Sequence, residues 1–300
     1  MPDGSISLHL PGDRLSAYGA ARSRQSVRRI LSAVLIGGLL IAVYYRVLAK
    51  LVFDWWHIPD FSHGFLVALF SLYLAWTKWE AIRRAKVDPH WGGVLLIAVG
   101  LATLLLGEYG AELFLSRISL LVVSAGLTLS FGGWQILREL RFALLVLLLA
   151  IPIPAIIFNQ VTFPLQLLAS TLASALLRLC NVPVLREGNV IVLPVMQLEV
   201  AEACSGIRSL MSLFSLSVFY GYFFEESRLR RLLLALISVP IAVAANAARI
   251  LGTGLCVQYW DPDKAAGFFH EFSGWLMFVV SLAGLFIVHR AMSMSRRQTK

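Results

Sequence analysis

Apolar residues gather along this chain in runs too long for strands, with short polar clusters between them. Eight of these runs predict membrane-crossing helices, near residues 30–50, 62–77, 92–107, 117–134, 141–158, 205–224, 231–255 and 271–290. The hydrocarbon core of a bilayer is about 30 Å thick and asks for roughly 20 helical residues. Several runs are shorter, which predicts tilt or local thinning. The stretch 159–204 departs from the pattern. Residues 161–180 carry Pro164, Gln166 and several Ser and Thr, and so predict a re-entrant or interfacial helix. Residues 182–185 and 190–200 are rich in β-branched side chains and flank Arg186-Glu187-Gly188-Asn189, which predicts a β-hairpin. The whole reads as an all-α polytopic membrane protein with a small extracytoplasmic cap. Its single transmembrane domain runs over 26–292, between a disordered cytoplasmic tail, 1–25, and a basic cytoplasmic tail, 293–300.

Composition makes the bilayer reading firm. Hydrophobic residues are 58% of the 300 and charged residues 14%, against about 25% charged in soluble domains. A net charge of +9 would suit a nucleic-acid binder, but the Lys and Arg sit in clusters between the apolar runs. Basic loops stay cytoplasmic. On that rule Arg22, Arg24, Arg28 and Arg29 lie inside, opening an uncleaved signal anchor. Lys78, Arg83, Arg84 and Lys86 lie inside as well, followed by Arg138 and Arg141, then Arg228, Arg230 and Arg231, and finally Arg290, Arg296, Arg297 and Lys300. The alternate loops hold Asp54, His57, Asp60 and His63, or Glu108 and Glu112. Both termini are thus expected in the cytoplasm. Arg46 and Lys50, near the outer end of the first run, break the pattern mildly and are read as snorkelling.

This topology delivers three reactive residues to one depth. Cys204 starts the sixth run, Arg249 lies near the outer end of the seventh, and His270 opens the eighth. None of them entered the charge argument. A thiolate is the nucleophile that a thiol must become, and an imidazole, a cation or a helix N-terminus favours it. Arg208, four residues after Cys204, shares its helical face. Arg249 can hold a developing oxyanion. An ionised arginine in a bilayer must face protein or water, and Asn246 one turn earlier marks a polar, protein-facing stripe.

The stretch Glu202-Ala203-Cys204-Ser205-Gly206-Ile207-Arg208-Ser209 resembles the cysteine motif of the exosortase/archaeosortase family. Asn246-Ala247-Ala248-Arg249-Ile250 resembles its arginine motif, and His270-Glu271-Phe272-Ser273-Gly274 its histidine motif. Pro59-Asp60-Phe61-Ser62-His63-Gly64-Phe65-Leu66-Val67 is similar to a further family stretch, with Ala68 where a proline is customary. The four lie in the family's order over about residues 50–290. The resemblance implies a bacterial exosortase of the inner membrane, working at its periplasmic face. Such an enzyme would recognise membrane-anchored proteins with a C-terminal sorting signal of the PEP-CTERM kind, cleave them, and pass them to an acceptor. Cys204 would form an acyl-thioester, Arg249 would donate a proton or hold the oxyanion, and His270 would act as base or stabilise the transition state. Family members usually accompany exopolysaccharide genes in Gram-negative species.

Plainer readings stand beside these. Cys204 alone reads as a buried small hydrophobe, Arg249 as a boundary arginine and His270 as a loop histidine. Arg208 either serves the site or pairs with Glu202 or Glu199. His63 and Asp60 either line the substrate entry or support the site, or they form a helix-start cluster. Cys180 and Cys256 are read as free thiols rather than a disulfide, and with no Cys-x-x-Cys pair the chain predicts no metal and no cofactor. Two other functions fit eight spans: a transporter or exopolysaccharide-export component, and an acyltransferase using Cys204 as a relay.

Overall fold

The computed structural model describes residues 12–200, 207–259 and 268–298. Ten α-helices and three short strands are found among them: α1 (Gly12–His57), α2 (His63–Thr77), α3 (Trp79–Arg84), α4 (Gly92–Tyr109), α5 (Leu113–Gly132), α6 (Trp134–Val146), α7 (Ala155–Leu179), β1 (Leu185–Glu187), β2 (Val190–Val192), β3 (Gln197–Glu199), α8 (Ile207–Phe224), α9 (Arg228–Tyr259) and α10 (Phe268–Gln298). Residues 1–50 form one unit and residues 51–300 another. In the first, α1 starts at Gly12, inside the stretch expected to be a disordered tail. Its middle bears exposed Val34, Leu35, Leu39 and Ile41, the surface a lipid-facing helix presents.

Seven helical segments among the described residues are long and apolar enough to cross a membrane: Val34–His57, Gly92–Tyr109, Leu113–Gly132, Ala155–Leu179, Ile207–Phe224, Arg228–Tyr259 and Gly274–Met294. The chain is therefore a multi-pass, all-α membrane protein with a small sheet, but two of the eight expected spans are revised. The run at 62–77 is α2, 15 residues and about 22 Å long. The run at 141–158 is broken. Its helix starts earlier, at Trp134, and passes after Val146 into a 3₁₀ turn over Leu147–Ala150. Pro152 and Pro154 stop it, because a residue before proline is pushed into extended backbone; Ile151 sits at φ −88°, ψ 118°.

The second unit has a basic end, where Lys78 meets Glu139 at 3.5 Å, and an opposite end, where Arg208 meets Asp60 at 2.9 Å. Although α7 is long enough to span, both of its ends lie at the Asp60 end. Phe158 meets Phe61 with ring centres 6.0 Å apart, and Leu177 touches the α9 backbone at Gly254, far from Arg228. Both ends of this helix thus sit at one end of the unit. Its buried Ala169, Ala173 and Leu177 pack with Ile191, Val200, Ile250 and Val257. The sheet beside it has order β1-β2-β3, antiparallel throughout. The turn between β1 and β2 is two residues, Gly188 and Asn189, tighter than the four expected. Gly188 takes φ +64° at the first central position, which suits glycine. Pro194 interrupts the second predicted strand, and Gln197–Glu199 folds back as β3.

Helix pairs here approach closely through small residues. On α4, Gly93, Gly100 and Gly107 recur every seven positions and face α5. A Cβ at Gly100 would lie 2.5 Å from Val123 Cγ2, and one at Gly93 or Gly107 would overlap the backbone of Ser130 or Ser116. In lipid, where apolar side chains gain little from meeting each other, such backbone proximity supplies the dispersion that holds helices together. Arg117 of α5 and Asp54 of α1 form a buried ion pair in the same unit. At the basic end the Tyr220 hydroxyl lies 2.6 Å from His289 Nδ1, and His289 Nε2 lies 3.2 Å from Glu225 Oε1. This relay ties α8, the α8–α9 loop and α10 together.

Replacing Gly100 by Leu should separate α4 from α5 at its midpoint. The expected outcome is a loss of about 1–3 kcal/mol, read as a lower unfolding temperature of the detergent-purified protein, while the exposed Gly38→Leu change, with open space at its Cβ, leaves it unchanged.

Candidate functional site

At the Asp60 end three pieces of chain are fixed by carbonyl groups that the two prolines leave without partners. In a continuing helix Ala150 O would accept from residue 154, but Pro154 has no N–H. Trp55 Nε1 donates to Ala150 O instead, at 2.8 Å. Leu149 O, where the chain has turned away, faces His63 Nε2 at 3.1 Å. The other ring nitrogen of His63 lies 3.1 Å from Asp60 O, so the ring sits between two backbone oxygens, and the neutral imidazole donates to one of them. Trp55 and His63 are both buried, each 8% exposed. His63 thus links the Pro59–Phe61 turn to the end of the α6 segment.

The turn it braces, Pro59–Phe61, presents Asp60 to α8. Arg208 Nε donates to Asp60 Oδ1 at 2.9 Å, across 148 residues. Sequence reasoning offered Glu199 or Glu202 as the partner of Arg208. In the structure it is Asp60, because the Pro59–Phe61 turn brings its carboxylate to the first turn of α8. Arg208 keeps 49% of its side chain exposed while Asp60 keeps 17%. Glu202 and Cys204 lie outside the described residues. Cys204 precedes Ile207, the first residue of α8, by three positions.

Arg249 lies on α9 at a half-buried position, with Asn246 buried one turn before it and Ile250 in the core beside it. Its guanidinium rests against the start of α10. A Cβ built at Gly274 would meet Arg249 Nη2 at 3.6 Å and Cζ at 3.7 Å. Gly274 is one helical turn after His270, on the same helix face. His270 sits in the first turn of α10, and its side chain lies outside the description. The structure therefore brings together the arginine-bearing segment and the segment that carries His270.

Sequence reasoning named Gly64 and Gly274 only as members of family-like stretches, without a role, and missed the donor role of Trp55. Gly64 follows His63 and faces the Trp55 indole so closely that any Cβ would overlap it. The signal was present in Pro152 and Pro154, since prolines that end a helix in lipid demand side-chain donors for the carbonyls they orphan. Among the described residues Cys180 and Cys256 are free thiols, as expected, and no group of three His, Cys, Asp or Glu could hold a metal ion.

A family model described as transmembrane exosortase matches residues 55–287. No match is found among curated proteins or among solved structures.

Gly64→Ala should displace the Trp55 indole and free Ala150 O. Trp55→Phe removes the same donor without adding bulk. Each is expected to cost about 1–3 kcal/mol, measured by thermal unfolding, with Gly64→Ala at the upper end of that range.

Proposed function

The chain belongs to the transmembrane exosortase family, and from that premise we propose that it is a membrane cysteine transpeptidase or protease acting on C-terminal sorting signals of the PEP-CTERM kind. The observation that carries this reading is the Arg249 guanidinium lying against Gly274, one turn from His270. Arginine, histidine and cysteine motifs far apart in sequence are the parts of an acyl-transfer site, and two of the three chain segments meet. Asp60 supports the third by holding Arg208, four residues after Cys204.

In this mechanism the Cys204 sulfur, its proton taken by His270, attacks the scissile carbonyl of the sorting signal. The carbonyl oxygen gains negative charge, and the Arg249 guanidinium stabilises it. Collapse breaks the peptide C–N bond. The amine leaves with the proton from His270, and the substrate remains as a thioester on Cys204. A nucleophile from the acceptor, or water, then attacks the thioester and restores the thiol. The positive-inside rule supports placing the Asp60 end at the periplasm and both termini in the cytoplasm, in the inner membrane. A substrate with a short basic tail after its transmembrane segment would be held in matching orientation.

Cys204→Ala should lower cleavage of a co-expressed tailed substrate by at least about 10³-fold while membrane insertion is unchanged. Arg249→Gln should lower it about 10²–10³-fold, and Cys180→Ala should leave it intact. Intact mass of the processed substrate checks all three and reports what replaces the tail. Cleavage that persists in Cys204→Ala would remove this thiol as the nucleophile.

A further inference from the structure

The basic end of the second unit holds a cavity of about 650 Å³ between α2, α6, α8 and α9. Lys78, Arg138, Arg141, Arg228 and Arg231 line it, with Glu139 as the single carboxylate, which leaves four positive charges unbalanced. Two of the cations are engaged. Lys78 pairs with Glu139 at 3.5 Å, and Arg231 Nε donates to Glu225 O at 2.6 Å with its guanidinium over the Tyr222 ring. Among the described residues Arg138, Arg141 and Arg228 form no ion pair and no side-chain hydrogen bond. Three arginines from two helices thus converge on one opening with their donors unspent.

Below this rim the lining changes character. Tyr222 stacks on Phe142, ring centres 5.0 Å apart and 11° from parallel. Val218 and Phe214 follow on α8, and Leu232 and Ala235 on α9. From Tyr222 to Phe214 the apolar wall runs about 12 Å along the helix axis, from headgroup depth into the acyl region.

We propose that this cavity binds an anionic phospholipid of the leaflet at the basic end, its phosphate held by Arg138, Arg141 and Arg228 and one acyl chain lying along Phe214, Val218 and Leu232. Arginine forks suit phosphate oxygens, and basic pockets between helices at a membrane surface attract acidic headgroups. A free phosphate would leave the apolar wall in water. The basic tail of a sorting signal carries the same sign of charge as the rim and is repelled from it.

The test is native mass spectrometry of the full chain in detergent, titrated with phosphatidylglycerol or with phosphatidylcholine of identical acyl chains. Phosphatidylglycerol should bind at least tenfold tighter. The triple variant Arg138→Gln, Arg141→Gln, Arg228→Gln should lose roughly fivefold in affinity per arginine, whereas Arg83→Gln with Arg84→Gln, basic residues of α3 outside the cavity, should not change it. Val218→Trp, which fills the apolar part and keeps every charge, should also weaken binding, so the proposal remains decidable if the triple variant does not fold. Equal binding of the two lipids, equal loss in the α3 variant, or full affinity in Val218→Trp would overturn it. Displacement of the lipid by millimolar glycerol 1-phosphate would assign the site to a free phosphate and overturn it as well.

Discussion

A backbone carbonyl buried in protein has no water to satisfy it, and the Asp60 end of this protein is organised around that fact. Two prolines stop the α6 segment while it is still packed against other helices, and the oxygens they strand must find donors within the chain. Trp55 and His63 supply those donors to Ala150 and Leu149. Both belong to segments otherwise remote from the break. Through them the end of α1, the Pro59–Phe61 turn and the α6 segment become one piece. Asp60 then projects from a braced turn rather than a loose loop, and its carboxylate stands where Arg208 can donate to it. The exosortase-like stretch from Pro59 to Val67 acquires a physical meaning residue by residue: a carboxylate for α8, an imidazole between two carbonyls, and a glycine that lets an indole approach.

The opposite end follows different rules. There the polar groups gather at the helix ends, and charge rather than carbonyl rescue sets the arrangement. In the Tyr220, His289 and Glu225 relay, Glu225 is buried and the other two are partly buried. The arginines beside it stay at the surface. The same helices, α8 and α9, thus carry Arg208 and Arg249 toward one end and contribute to a cationic rim at the other.

Much of this was legible from the sequence because lipid imposes a long, simple signal. Apolar runs located α4, α5, α8, α9 and α10 with modest errors at their ends. The errors of kind came where local chemistry overrode hydrophobicity. The run at 141–158 stayed greasy through Pro152 and Pro154, so hydropathy could not see the break that backbone geometry made. The Ser, Thr and Gln of α7 marked a helix with polar contacts to make, since Ser170 donates to Gly188 O of the β1–β2 turn at 2.9 Å. For the site, the meeting of Arg249 with the His270 segment was anticipated by topology, because two antiparallel helices close in sequence return to the same depth. The partner of Arg208 was not, because no local pattern links residues 60 and 208. Cys204 and Glu202 rest on sequence alone.

The α4–α5 pair completes itself from its own residues. Its glycine seam and the tight Gly110–Glu112 turn ask nothing of the rest of the chain, and contacts close in sequence form first. Asp60 has no such independence: its guanidinium partner leaves the ribosome well over a hundred residues later. Assembly during synthesis therefore begins with a finished hairpin and ends with the Asp60 end, so a truncated or stalled product would occupy the membrane without ever closing the Asp60–Arg208 contact.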